Sequence, residues 1–257
     1  MGLIFEPRAF ADHHRYSKVD FDVDSDAILT TEKDAVKFAG LAELPVWVLP
    51  VDAVVVLVSF NLASSFVRKN PLAAIAAFRA AFSERTDRLL LLKVGHPDHF
   101  PEDFSMLQAA VAGAANIRIE TRIMPEAELH ALTACADIVL SLHRSEGFGL
   151  VPAEAMLLGR AVVATGWSGN VDFMDDDSAV MVPYRLVPTE DPRGVLEAPG
   201  AVWAEPDITA AAAALVRLAD DPAARASLGA RARHHATQAL GPASLAAAVR
   251  GLGLAPS

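Results

Sequence analysis

The stretch DIVLSLHRSEGFGLVPAEAMLLGRAVVATGWSGN, residues 137–170, decides the fold of this chain. It begins with a short apolar strand at 137–142, turns, continues as a helix over 151–159 and returns to an apolar strand at 161–165. Two apolar strands separated by one helix predict parallel strands of a single sheet. Ligands of such sheets bind beyond the carboxyl ends of the strands, where the turns that follow them meet.

The same alternation of strand and helix begins near residue 53 and continues along the chain. Apolar runs predict the strands, and amphipathic stretches predict the helices between them. The predicted strands are 53–60, 88–94, 116–120, 137–142 and 161–165, and the predicted helices are 70–82, 102–114, 125–136, 151–159, 207–220, 222–240 and 242–251. The proline-containing region 184–206 is predicted to be irregular. The sequence predicts an α/β fold, a Rossmann-like doubly wound parallel sheet with a C-terminal helical tail.

The first 52 residues form a separate, small α/β fragment in this prediction. Strands are predicted at 27–31 and 45–50, with a helix at 32–41 between them. Three domains are therefore expected, with boundaries at 1–52, 53–240 and 241–257. The junction near residue 53 has no Gly/Ser-rich spacer, so its composition is not that of a flexible linker.

The bulk composition limits the class of function. The 257 residues carry a formal net charge of -10, which argues against a nucleic-acid-binding face but allows a local basic cluster. The single cysteine, Cys135, excludes a disulfide within the chain, fits a cytoplasmic protein and is expected to be buried. Neither a membrane span nor a signal peptide is expected. Peripheral contact with the inner face of the membrane stays open.

The turn after the strand at 137–142 has the chemistry of a site for phosphate and hydroxyl groups. Gly147 and Gly149 allow a close backbone approach, and the helix that follows offers free N–H groups to a phosphate. Glu154, expected in the first turn of that helix, can accept two hydrogen bonds from vicinal hydroxyls, and Glu146 can reach a second hydroxyl-rich group. The alternative is that both glutamates are ordinary helix-end and surface charges.

Neighbouring side chains have two interpretations each. His143 and Arg144, at the strand end, either contact a ligand or shape the turn, and Trp167 either lines the pocket or caps the core. The HPDH stretch at 96–99 is expected to be a solvated loop, because no further metal ligands stand at a recognisable spacing. The aspartates at 175–177 are expected in an exposed loop.

Several segments together resemble one family. EGFGLVPAE (146–154) matches the E-x7-E motif of the retaining, group 1 (family 4) glycosyltransferases, and the residues up to 170 resemble the segment after that motif. SSFVRKNPLAAIAAFRAAF (64–82) is similar to the family's Arg/Lys-bearing loop and helix, and WAEPD (203–207) to its late donor-side loop. The resemblance covers residues 53–240. It implies the donor-binding, C-terminal half of a GT-B fold and transfer of a hexose from a nucleotide diphosphate-sugar.

The resemblance also implies a role for each matched residue. Glu154 would hold the ribose, while Glu146 and the Gly147–Phe148–Gly149 backbone would contact the transferred sugar. Lys69 and Arg68 would neutralise the leaving diphosphate, so no metal or other cofactor is expected. The further donor-binding residues are expected to be His143, Leu150, Ser168, Gly169 and Asn170. Ala63 is a departure, because the family often has an arginine there, and Arg68 is the candidate substitute.

The acceptor is expected to be a glycan or lipid of unknown identity, used in cell-envelope polysaccharide or lipopolysaccharide synthesis in the cytoplasm. Only 52 residues precede the first strand of the donor domain, too few for the family's acceptor-binding domain. The chain is therefore expected to bind a nucleotide-sugar and to transfer sugar poorly by itself. A non-catalytic nucleotide-sugar-binding module is the alternative.

The N-terminal fragment resembles a different family. FADHHRY (10–16) and LTTEKDAVKFAGLAELPVWVLPVDA (29–53) are similar to the C-terminal end of tetraacyldisaccharide 4'-kinase, an enzyme of the lipid A pathway. His13 would lie near that family's catalytic centre. The phosphate loop G-x-x-x-x-G-K-[ST] is absent, so a kinase remnant is a further alternative and kinase activity is not expected.

Overall fold

The computed structural model describes the backbone of residues 28–31 and 46–49 and the whole of residues 53–241. The chain divides into two compact units, Val54–Arg122 with Thr133–Ser257, and Met1–Ala53 with Ile123–Leu132. Several predictions lie outside the described residues: the helices at 32–41 and 242–251, most of the tail at 241–257, and the role of His13.

Ten strands and seven α-helices cover most of the described residues. The strands are β1 Ile28–Thr31, β2 Val46–Leu49, β3 Val54–Asn61, β4 Arg88–Gly95, β5 Ile117–Glu120, β6 Ile138–Ser141, β7 Ala161–Thr165, β8 Val180–Val182, β9 Tyr184–Pro188 and β10 Val202–Pro206. The α-helices are α1 Phe66–Lys69, α2 Pro71–Phe82, α3 Pro101–Val111, α4 Glu126–Cys135, α5 Leu150–Leu157, α6 Ile208–Asp220 and α7 Pro222–Ala239. Short 3-10 turns occur at Leu62–Ser64, Pro97–His99 and Gly169–Asp172.

Six of the strands form one parallel sheet in the order β5-β4-β3-β6-β7-β8. β3 and β4 pair along their whole length, from Val54 opposite Arg88 to Asn61 opposite Gly95. The chain runs outward from β3 in one direction and from β6 in the other, so the strand order reverses between these two strands. This reversal creates a crevice at their carboxyl ends, as is usual in doubly wound sheets.

The core is apolar on both faces of the sheet, because crossover helices cover both. β7 is buried at every position, and β3 and β4 contribute Val56, Leu90 and Leu92, none of them with exposed surface. Phe78 and Phe82 of α2 pack edge to face with ring centroids 5.1 Å apart. Burial of each large apolar side chain contributes roughly 1.5–3 kcal/mol, so these contacts dominate the stability of the unit.

The described residues confirm the predicted α/β fold and its parallel sheet, and they correct two local predictions. The region 184–206 contains an antiparallel hairpin, in which Tyr184 of β9 pairs with Pro206 of β10 and Pro188 with Val202. Cys135, expected to be buried, is exposed at the end of α4. The N-terminal strands were predicted correctly, and β1 and β2 pair in parallel.

The described helices give no candidate for a membrane span. None of them is both long enough and apolar enough to cross a lipid bilayer.

Candidate functional site

Three turns meet at the carboxyl edge of the sheet, because β3, β6 and β7 are neighbours and run in parallel. The backbone N–H of Arg144 donates to the carbonyl of Arg68 at 2.8 Å, which joins the first turn to the second. The backbone N–H of Gly169 donates to the carbonyl of Glu146 at 3.1 Å, which joins the second turn to the third. Site residues predicted from three separate segments therefore lie together.

The four-residue helix α1 carries both predicted cations between two residues of positive φ. Ser65, at φ 71°, precedes α1, and its hydroxyl accepts a hydrogen bond from the N–H of Arg68 at 3.4 Å. Asn70, at φ 53°, ends α1 and begins α2, a left-handed conformation that asparagine tolerates better than most residues. Asn70 is the N-cap residue of α2, but its side chain makes no capping hydrogen bond.

Arg68 and Lys69, the cation pair, both contact the carboxylate of Glu146. Lys69 Nζ lies 2.5 Å from Oε1, and Arg68 Nη1 lies 3.2 Å from Oε2. Arg68 also donates to the carbonyls of Ser64 at 2.9 Å and Ser145 at 2.8 Å. Solvent reaches only 9% of the Glu146 side chain and 16–17% of the two cations. The site is thus locally basic and partly desolvated, which strengthens its electrostatic interactions.

Glycines bring the second and third turns into backbone contact. A Cβ at Gly169 would lie 2.3 Å from the carbonyl oxygen of Gly147, so only glycine fits there. Gly149 is left-handed at φ 98° and caps α5 at its N-terminus. The hydroxyl of Ser168 accepts the N–H of Glu146 at 2.8 Å, which fixes the turn that presents the Glu146 carboxylate.

The other predicted donor-binding residues surround this turn. Gly147 is exposed. The side chains of Phe148 and Leu150, at the start of α5, are exposed as well. The Phe148 ring packs on that of Phe173, with centroids 4.9 Å apart. Glu154 is half-buried and is the fifth residue of α5, because the helix begins at Leu150, so the expectation that it lies in the first turn is wrong.

His143 and Asn170 have no exposed surface, and they contact each other beneath the turns of the site. The Nε2 atom of His143 faces two acceptors, the carbonyl of Trp167 at 3.1 Å and Oδ1 of Asn170 at 3.0 Å, so Nε2 carries the proton. Nδ1 then accepts from the hydroxyl of Ser141 at 2.9 Å. Burial lowers the pKa of His143, which keeps the ring neutral. Of the two interpretations left open, this arrangement fits the shaping of the turn.

Arg144 links α1 to strand β10. Its guanidinium donates to the carbonyl of Val67 at 3.1 Å and to Glu205 at 2.7–2.8 Å, and it lies over the ring of Trp203. These contacts tie the turn after β6 to α1 and β10, which favours the shaping interpretation. Trp167 is partly buried, and its ring centroid lies 5.3 Å from that of Tyr184, so both interpretations of this residue stay open.

The remaining candidates lie apart from these contacts. His96 and His99 are exposed, and so are the three aspartates at 175–177, as predicted. Among the described residues, no group of three or more His, Cys, Asp or Glu side chains could hold a metal ion.

Arg193 makes long-range contacts that the sequence did not predict. It comes from the loop between β9 and β10, and its Nη1 donates to the carbonyl of Leu62 at 2.8 Å. Its Nη2 bonds to Asp103, and its guanidinium lies 4.1 Å from the centroid of the Phe100 ring. The turn before α1 is therefore held by Arg193 as well as by Arg68. An arginine between Pro192 and Gly194 gives no signal of this long-range contact.

Comparison with known proteins identifies relatives of both parts of the chain. The family model of glycosyl transferases group 1 matches residues 53–221, and that of tetraacyldisaccharide-1-P 4'-kinase matches residues 2–68. D-inositol 3-phosphate glycosyltransferase of Nocardioides sp. is 31% identical over 154 residues, which are 56% of this chain and 33% of that protein. Tetraacyldisaccharide 4'-kinase of Dechloromonas aromatica is 54% identical over 54 residues, 21% of this chain and 16% of the kinase.

Solved glycosyltransferases share the fold at low identity. WaaG, a glycosyltransferase involved in lipopolysaccharide biosynthesis, is 18% identical with a TM-score of 0.51, covering 82% of this chain and 57% of WaaG. The C-terminal domain of a group 1 glycosyl transferase from Francisella tularensis is 19% identical with a TM-score of 0.51, and the match covers 72% of this chain and 85% of that domain. The pneumococcal O-GlcNAc transferase in complex with UDP and GlcNAc is 17% identical with a TM-score of 0.51, and the match covers 83% of this chain and 42% of that transferase.

The six-stranded sheet with its flanking helices is thus a GT-B-like fold. The chain spans a third or less of the two curated relatives described above. Since the matched glycosyltransferase region covers residues 53–221 of 257, the chain belongs to the group 1 glycosyltransferases.

Proposed function

We propose that this chain binds a nucleotide diphosphate-sugar at the carboxyl edge of β3, β6 and β7 and serves as the donor-binding half of a retaining hexosyltransferase. The observation that supports this most is the contact between the cation pair and Glu146, which joins two separate turns at the switch point of the sheet. The site unites positive charge for phosphate with carboxylates for hydroxyls.

The proposed chemistry follows from charge. A departing nucleoside diphosphate gains negative charge as the glycosidic bond breaks, and cations already in position stabilise that charge without reorganisation. Arg68 and Lys69 take this role, together with the N–H groups at the start of α5. Glu146 accepts hydrogen bonds from the sugar and Glu154 from the ribose. Two side-chain cations provide the charge compensation, so the proposal assigns no metal.

Titration calorimetry with UDP-, GDP- and ADP-sugars tests the binding. We expect the nucleotide-sugars of one of these three bases to bind. Lys69→Met should weaken this binding by about 10-fold or more, since a charge-assisted contact is lost. Arg79→Met is the matched control, because Arg79 is exposed in the last turn of α2, away from the carboxyl edge. Absence of binding by every nucleotide-sugar at millimolar concentration would contradict the proposal.

A non-catalytic nucleotide-sugar-binding module is the second candidate, because the matched relatives are much longer than this chain. Turnover separates the two. Hydrolysis or transfer of the donor that disappears in Glu146→Ala and Lys69→Ala supports the transferase, whereas binding without turnover supports the module. The kinase-like match covers only the N-terminal part of the chain, and ATP-dependent phosphorylation of a lipid disaccharide would be needed to support that reading.

The cellular setting is also a proposal. We place the activity in cell-envelope polysaccharide or lipopolysaccharide synthesis on a glycan or lipid acceptor, in the cytoplasm or at the inner face of the membrane. Two observations support it: WaaG acts in lipopolysaccharide biosynthesis, and the N-terminal residues are similar to a lipid A pathway kinase. Fractionation of cells that produce the chain, with detection in cytosol and membrane, tests the compartment.

A further inference from the structure

The carboxylate of Glu146 occupies the space between the two cations that would hold a diphosphate. Both of its oxygens are engaged, Oε1 by Lys69 and Oε2 by Arg68. With 9% of its side chain exposed, Glu146 has little access to water that could replace these partners. In this arrangement, the carboxylate of Glu146 neutralises part of the charge of the cation pair and competes with any anionic ligand for the same cations.

We infer that Glu146 is a specificity-determining residue, an internal anion that must leave the cation pair before a phosphate group can bind. The inference rests on the proposed function and adds to it: the site should discriminate against bare phosphates and in favour of a complete nucleotide-sugar. Glu146 would thus act twice, first as a competitor of the diphosphate and then as a partner of the sugar.

The exchange requires movement of one side chain only, because the backbone around Glu146 is fixed. Its N–H donates to Ser168 Oγ at 2.8 Å, and its carbonyl accepts the N–H of Gly169 at 3.1 Å. Arg68 also holds the preceding carbonyl, that of Ser145, at 2.8 Å. The turn therefore stays in place while the carboxylate rotates away from the cation pair.

Discrimination follows from what happens to the displaced carboxylate. Pyrophosphate takes the cation pair but leaves the partly buried charge of Glu146 without a partner, which is costly. A nucleotide-sugar takes the same cations and brings sugar hydroxyls, which donate hydrogen bonds to the released carboxylate. Only the second ligand gives both the cation pair and the carboxylate new partners in place of each other.

Calorimetric titration of inorganic pyrophosphate into the full chain tests the competition directly. Glu146→Gln keeps the size of the side chain and removes its charge, so we expect pyrophosphate to bind this variant about 10-fold more tightly than it binds the unmodified chain. Glu84→Gln is the matched control, since it changes the net charge equally but lies between α2 and β4, at the opposite edge of the sheet. Its affinity for pyrophosphate should match that of the unmodified chain.

Equal or weaker binding of pyrophosphate by Glu146→Gln would overturn the inference, and so would absence of binding by that variant at 10 mM. Circular dichroism of each variant confirms that the comparison is made on folded protein. A second titration compares UDP with UDP-glucose, and Glu146→Gln should narrow the preference for the sugar-bearing ligand. If no nucleotide-sugar binds any variant, the proposed function fails, while the pyrophosphate comparison still decides the role of Glu146.

Discussion

Gly169 lies against the backbone of Gly147, and this contact brings the second and third turns of the site together. A Cβ there would also come within 2.6 Å of the Gly147 carbonyl carbon and 2.9 Å of Phe148 Cα. Backbone atoms in a turn cannot move aside as a flexible side chain can, so a larger residue must push the two turns apart.

Gly169→Ala should therefore destabilise the fold by about 1–3 kcal/mol, the usual cost of forcing extra volume into a packed region. Urea denaturation measures this cost. Gly147→Ala is the matched control for stability, because a Cβ at Gly147 meets no atom within 4 Å. Equal stability of the two variants would show that the turns separate at little cost.

Protonation of His143 should couple the stability of the fold to pH. Burial lowers the pKa of His143 below its ordinary value of 6.5, so the unfolded chain takes up a proton at a higher pH than the folded chain. The stabilisation is therefore complete above about pH 6.5 and decreases as the pH falls toward the folded-state pKa.

Urea denaturation at about pH 7.5 and pH 5.5 tests this dependence. Between about pH 7.5 and pH 5.5, the unmodified chain should lose more of its free energy of unfolding than the His143→Gln variant, because the variant has no titrating group at position 143. The same loss in both proteins would assign the pH dependence to other residues.

The roles of Glu146, Lys69 and Glu154 could be proposed from the resemblance to the family, because each residue lies in a short contiguous motif. The burial of His143 could not. Whether a side chain at a strand end faces solvent or the interior depends on Trp167 and Asn170, which lie 24 and 27 residues further along the chain.

The loop between β9 and β10 is attached to the sheet edge through Arg193. The side chain of Asp191, which is 3% exposed, organises this loop by accepting the N–H groups of Val195 and Leu196, each at 3.0 Å. Arg193 then reaches Leu62, Asp103 and the ring of Phe100. The hairpin therefore contributes to the position of the turn that precedes α1.

Arg193→Ala should release this loop without unfolding the sheet. We expect chymotrypsin to cut after Leu196 several-fold faster, because local opening exposes the backbone to the protease while the core stays intact. Arg185→Ala is the control, since Arg185 is exposed on β9 of the same hairpin. An unchanged cleavage rate in Arg193→Ala would show that the loop is held by other contacts.

The parallel sheet could be predicted from the sequence because each of its main strands is a continuous apolar run. The hairpin was missed because Pro188, Pro192, Pro199 and Pro206 suggested irregular structure. Proline lacks a backbone N–H, which a central strand requires but the end of a two-stranded ribbon does not. Pro188 and Pro206 each end their strand, so the residues that argued against a hairpin instead mark its limits.

The described hydrophobic core of the molecule extends from Val54 to Leu228 and draws on β3, β4, β6, β7, α2 and α6. The first 52 residues precede every member of this described cluster, although the match to the kinase family extends to residue 68. The described cluster is thus contained within residues 54–228, which supports folding of this part of the chain by itself.

Residues 53–257 should fold when produced without the first 52 residues. We expect the melting temperature to fall by less than about 5 °C and the affinity for pyrophosphate to stay the same. Circular dichroism and calorimetry provide the measurements. Insoluble or unfolded protein would show that the N-terminal residues are required for the stability of the sheet.

The residues that flank α1 determine how its two cations could be moved to another protein. Ser65 and Asn70 have positive φ on either side of a helix of four residues, so the direction of both cations depends on those two backbone conformations. A graft of Arg68 and Lys69 alone into a foreign loop would transfer the charge but not its orientation. The smallest transplantable unit runs from Ser65 to Pro71, and a recipient scaffold would need to accept the chain at both of its bends.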